Sequence, residues 1–194
     1  MHPFLQLSLK IENYPSILNY LNNFEEKLSK KRETKKGTLP WWCLHWSRNK
    51  KLFTEEKILL RQTADSVIAT YDDKGYFALN SLLVFKIDSK FDIDYKFALS
   101  ILNSKLTTFI YKNYTGEDGR DFAEVKPKNI RKLYIAKAKK NIQNEFVKIV
   151  DKIIELKKEN KNTSKLECLI DKKVYALFEL NKDEINIIES SYNK

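Results

Sequence analysis

The sequence predicts an α+β fold: a small mixed or antiparallel sheet with flanking helices, followed by a C-terminal helical segment. Three observations carry this. Short apolar runs of strand length, Lys57–Gln62, Val67–Tyr71 and Tyr76–Ile87, occupy the centre of the chain. Helix-length apolar stripes lie on either side of them. From Asn141 onward only helical periodicity remains. This places an α/β region over 1–140 and a helical segment over 141–194, the latter as a brace or docking surface of the same domain.

The elements follow in order. Tyr14-Pro15-Ser16 starts a helix, with the proline tolerated in a first turn. Ile17, Leu21, Phe24 and Leu28 form its stripe, and Lys30-Lys31-Arg32 near its end suits the helix dipole. Asp72-Asp73-Lys74-Gly75 reads as a hairpin turn between two strands, with glycine where a positive φ is needed. Asp92 or Asp94 is a candidate N-cap for one helix running to about Tyr114, buried through Ala98, Leu102, Leu106, Phe109 and Ile110. Asn103-Ser104 inside it has no reason in helix propensity.

Thr115 to Asp121 is a loop with two glycines, Phe122–Val125 a short strand, and Lys126-Pro127-Lys128-Asn129 one helical turn. Leu133–Ala136 reads as extended. Ile142, Phe146, Ile149, Ile153 and Leu156 then repeat in alternating steps of four and three, a coiled-coil-like seam. Ser164 with Glu167, and Asn181 with Glu184, have capping-box spacing for two further helices.

Composition narrows the function. The 194 residues carry a net charge of +10 with 42% hydrophobic and 12% aromatic content, so the chain has core enough to fold. The charge is uneven. Lys27–Arg61 holds 11 Lys/Arg against 3 Glu, Lys126–Lys140 holds 7 Lys/Arg and no acid, and Gln62–Val125 is slightly acidic. Two separate basic blocks suggest a footprint for phosphates. No apolar run reaches the ~20 residues of a membrane span. Cys43 and Cys168 are isolated, which suits a reduced, cytoplasmic compartment better than a disulfide.

Catalytic signatures are missing. All four glycines mark turns, so no phosphate-cradling loop is present. His45 has no evident acid or nucleophile partner. Glu124-Val125-Lys126 has the Glu-x-Lys shape of a metal-dependent nuclease strand, yet no paired Asp is apparent. What the chain does offer is Trp41, Trp42 and Trp46 close together, followed by a basic run and a sheet.

The order of motifs resembles a known family. Tyr14-Pro15 with its helix, Trp42 to Arg48, Lys57-Ile58, Tyr71-Asp72 and Gly75 to Ser81 come first. Leu102 to Leu106, Val125-Lys126-Pro127, Leu133-Tyr134-Ile135, Val174 to Leu177 and Asn181 to Glu189 follow. This set is similar to the TaqI-like C-terminal specificity (target-recognition) domain of adenine-N6 DNA methyltransferases and type IIG restriction–modification enzymes. The resemblance implies duplex DNA as partner, together with a methyltransferase or nuclease domain or subunit. S-adenosylmethionine and Mg²⁺ would belong to those partners, and no cofactor to this chain, which lacks an Asn-Pro-Pro-Tyr motif.

On that reading Arg48, Arg61, Gln62, Asn80 and Arg120 are candidates to read base edges, since their side chains can make paired hydrogen bonds. Lys50, Lys51, Lys57, Lys126, Lys128, Arg131 and Lys132 are candidates for phosphates. Asn80 and Asn103 have an alternative role, satisfying backbone groups. The competing function is a helical protein-interaction module, or a single-strand binder stacking bases on the tryptophans.

Overall fold

The computed structural model describes residues 10–43, 49–116 and 124–192. The chain forms two compact units, 1–50 and 51–194.

The first unit is helical. After a 3₁₀ turn at Ile11–Asn13, α1 spans Pro15–Asn22, α2 Glu25–Ser29 and α3 Arg32–Lys35. Pro15 takes the first helical position, as predicted. The single helix read from the apolar stripe is instead three short ones. Asn22-Asn23 breaks it, because the Asn23 side-chain amide donates to the Tyr20 carbonyl at 3.1 Å and competes with helix continuation. Tyr14, Ile17, Tyr20 and Phe24 are exposed rather than buried.

In the second unit α4, Lys51–Thr54, leads into β1, Lys57–Arg61. With β2, Ala69–Asp72, and β3, Leu82–Phe85, it forms an antiparallel sheet of order β2-β1-β3. β1 is central, Lys57 through Leu60 are all buried, and this is why it reads as an uninterrupted run. The register sets Leu60 opposite Ala69 on one side and Leu83 on the other. Asp72–Gly75 is therefore not a hairpin turn between paired strands. It ends β2 at one edge, and residues 73–81 cross to β3 at the other. Gly75 does take positive φ, +77°. The Tyr76–Ile87 run is likewise a strand only over Leu82–Phe85, preceded by a loop.

Asp94 caps α5, Tyr95–Leu102, accepting from the Lys96 and Phe97 N–H groups. The expected long helix stops there and restarts as α6, Lys105–Thr115, capped by Ser104. The Asn-Ser pair is the break. Asn103 donates to the Ala69 carbonyl at 2.9 Å and accepts from the Ala69 N–H at 2.8 Å, covering the outer edge of β2. Its backbone-satisfying alternative is the one observed.

α7, Pro127–Ile130, is the expected single turn. Among the described residues Leu133–Ala136 pairs with no strand. The C-terminal helices are α8, Lys140–Lys158, α9, Ser164–Leu177, and α10, Lys182–Ser190. They share the core of the unit: Ile58, Leu60, Phe97, Ile101, Tyr111 and Val125 are enclosed with Phe146, Val150 and Val174. Phe97 and Phe146 meet edge-on at 5.3 Å. The face α8 buries runs through Gln143, Phe146 and Val150. Gln143 is buried because all its groups are used, donating to Asp92 and Ala138 carbonyls and accepting from the Asp94 N–H.

Asn181 and Glu184 form the predicted capping box. Ser164 does not; the α9 N-cap is Thr163, whose hydroxyl bonds Glu167 at 2.9 Å. Asp171 on α9 accepts from the Lys105 N–H at 2.9 Å, joining the start of α6, and burial pushes its carboxyl up despite that bond and the Lys105 ammonium. No described helix is long and apolar enough to cross a membrane.

Candidate nucleic-acid interface

The site assembles where β1 ends. Arg61 is the last residue of the central strand and the only one of its five that is exposed. Its backbone is fixed by pairing with Leu82 on one side and by donation to the Ile68 carbonyl at 2.9 Å on the other. Among the described residues no acid pairs with its guanidinium. A fork with five donors is thus held on rigid backbone and left open.

Gln62 follows, and its backbone links three segments. Its N–H donates to the Ser81 carbonyl at 2.9 Å, and its carbonyl accepts from Val125 at 2.7 Å. Its side-chain amide donates to the Glu124 carboxylate at 2.5 Å. With one of its two amide N–H groups committed, Gln62 ties the chain around Glu124 to the sheet. Asn80, one residue before Ser81, is exposed. The β1–β3 pairing therefore brings Arg61 and Asn80 to one end of the sheet.

The second basic block enters through the same junction. Val125 is fully buried and bonded to Gln62, and Lys126 to Lys132 follow directly. Buried Asn129 and Ile130 anchor α7, which leaves Lys128, Arg131 and Lys132 exposed. Among the described residues no acid pairs with Lys128 or Arg131. The Lys132 ammonium lies 4.5 Å from the Tyr114 ring centre. Lys126 takes part in a contact within the chain.

Lys57 is a correction. It is completely buried, pairs with the Asp72 carboxylate and donates to the Phe53 carbonyl, so it is inaccessible to a phosphate. Asp72 also accepts from the N–H groups of Lys74 at 2.8 Å and Tyr76 at 3.0 Å. Burial pushes its carboxyl up, but Lys57 and these two N–H groups outweigh it and hold it below the ordinary carboxylate value.

Arg48 and Arg120 lie outside the described residues, as do His45 and Trp46. Lys50 and Lys51 are exposed and belong to different compact units. Trp41 and Trp42 are half-buried and meet edge-on at 5.7 Å. Among the described residues no group of three or more His, Cys, Asp or Glu could hold a metal ion. Two features went unread in the sequence: the Gln62–Glu124 link, and the exposure of Tyr76, Phe77 and Leu79, whose apolar character there signalled a strand.

The TaqI-like C-terminal specificity domain matches residues 8–135 of the chain. The chain belongs to that family. The match supports a specificity domain of restriction–modification, concerned with target recognition. It covers both units up to Ile135, including β1, Arg61, Asn80 and α7. Helices α8–α10 lie beyond the match, although they share the core of the second unit. No curated protein matches the chain.

Proposed function

We propose that this specificity domain reads a defined base sequence in duplex DNA and supplies that specificity to a separate adenine-N6 methyltransferase, with or without a nuclease, in a type IIG-like system. One observation carries the reading: an open guanidinium at the end of the central strand, beside an exposed Asn80, with an acid-free basic turn leaving from the same junction. Arg61 is suited to the paired acceptors of guanine in the major groove, and Asn80 to adenine. Lys128, Arg131 and Lys132 supply charge for phosphates, supplemented by Lys126, Lys50 and Lys51. Arg48 and Arg120 remain base-reading candidates by residue type. Gln62 becomes a positioning residue.

S-adenosylmethionine and Mg²⁺ are assigned to the partners, so the chain alone is expected neither to transfer methyl groups nor to cut DNA. Cys43 and Cys168 are both free thiols, which supports a cytoplasmic setting. The test is selection from a randomised pool of duplexes. The chain should enrich one short sequence, and the Arg61→Ala variant should enrich a degenerate version of it. Recovery of an unenriched pool by the intact chain would refute the reading.

A further inference from the structure

Between β2 and β3 the chain presents three large apolar side chains to solvent: Tyr76 is 66%, Phe77 68% and Leu79 81% exposed. Such a cluster normally marks a contact surface. This one is held rigidly. Asp72 fixes the Lys74 and Tyr76 N–H groups, and Lys57 fixes Asp72. Gly75 at φ +77° lies against Thr54, and a Cβ there would stand 3.4 Å from the Thr54 Cα. Phe77 stacks on buried Phe53, with ring centres 4.9 Å apart and planes 17° from parallel. At the far end Leu82 donates to the Leu79 carbonyl at 3.1 Å, and Ser81 is bonded to Gln62.

Resting on the duplex-DNA reading above, we infer that Leu79 is a wedge inserted between two base pairs, unstacking one step, with Phe77 and Tyr76 as flanking faces for the separated bases. Two observations favour DNA as occupant over another protein surface. The loop is continuous with Asn80 and Arg61, so anything seated on those polar groups meets the apolar ones next. The acids nearest the loop in sequence are also already paired with cations: Asp72 with Lys57, Asp73 with Lys74 at 3.7 Å, Asp88 with Lys90 at 3.2 Å and Asp65 with Lys112 at 3.3 Å. A polyanion therefore meets no unpaired carboxylate among these four. Inserting apolar side chains costs unstacking energy but gains contact area on a bent duplex. Pyrimidine–purine steps open most easily, so the wedged step should be of that kind.

The test uses the full chain and a duplex recovered from the randomised pool, with 2-aminopurine replacing adenine at each pyrimidine–adenine step in turn. Binding should raise the fluorescence at one position only. Leu79→Ala should abolish that rise and weaken binding by about tenfold or more, the range expected for losing one stacking contact. Leu79→Met should restore much of both. Leu79 is exposed, so the fold should survive either change, which circular dichroism verifies. Sequence-selective binding with no fluorescence change, and equal affinity for Leu79→Ala, would overturn the wedge while leaving the DNA reading intact. Absence of any sequence preference in the unaltered chain would overturn both. Loss of self-association in Leu79→Ala without change in DNA binding would identify the loop as a contact between copies and also overturn the wedge.

Discussion

Arg61 and Lys128 are both exposed cations, but they should behave differently when removed. Arg61 sits on paired backbone with its fork open, so a bidentate contact to guanine can form without reordering the chain. Arg61→Ala should lose about 1–3 kcal/mol on the selected duplex and little on random DNA, and Arg61→Lys should recover only part of this. Lys128 needs only to place a charge near a phosphate. Lys128→Ala should weaken both duplexes equally and make the salt dependence shallower by about one unit. Competition binding against selected and scrambled duplexes measures both. Asn103, by contrast, is structural: Asn103→Ala removes both of its bonds to Ala69, and a urea melt should show a loss of roughly 1–2 kcal/mol. Side-chain types could be read from the sequence, and Asn103 was conspicuous because a helix interior does not call for it. Lys57 could not be placed, because its burial depends on Asp72, 15 residues away, lying opposite it across β1 and β2.

That ion pair is what holds the β2–β3 connection in shape. Lys57→Met would leave a buried carboxylate with its backbone donors but without its countercharge, and denaturant unfolding should show a loss of about 3–5 kcal/mol. The pH dependence follows from the direction of the Asp72 shift. An acid held below its unfolded value contributes stability above that value and loses it as the pH falls through the folded one. The unaltered chain should therefore lose this contribution only below the ordinary carboxylate range, and the Lys57→Met variant should lack most of that acid-labile increment. Local signals such as Pro15, Asp94, Gly75 and the Asn181–Glu184 box were readable because each acts within a few residues. The strand pairing was not. A glycine turn announces a change of direction, but the pairing followed from which strand could be buried over four consecutive residues, and among the described strands only β1 is.

Taken as a whole molecule, the chain concentrates its +10 charge in two blocks separated by a slightly acidic sheet region. The α+β class was readable from the short apolar runs and the helical stripes around them, and the family from the order of short motifs. The division at 50/51 was not, because no glycine- or proline-rich linker marks it. Nor was the sharing of one core by α5 and α8, which lie far apart in sequence. On the proposed function the blocks would supply affinity that any duplex can share, whereas Arg61 and Asn80 would supply a preference that only one sequence can. Raising the salt should separate the two, since about six phosphate contacts would cost roughly a thousandfold in affinity between 50 and 200 mM. The most direct test is therefore to titrate the unaltered chain against its selected duplex and a scrambled one across that range. Both affinities should fall steeply and in parallel, with a constant preference for the selected sequence. Equal affinity for the two duplexes at every salt concentration, or binding that stays flat across the range, would contradict the account.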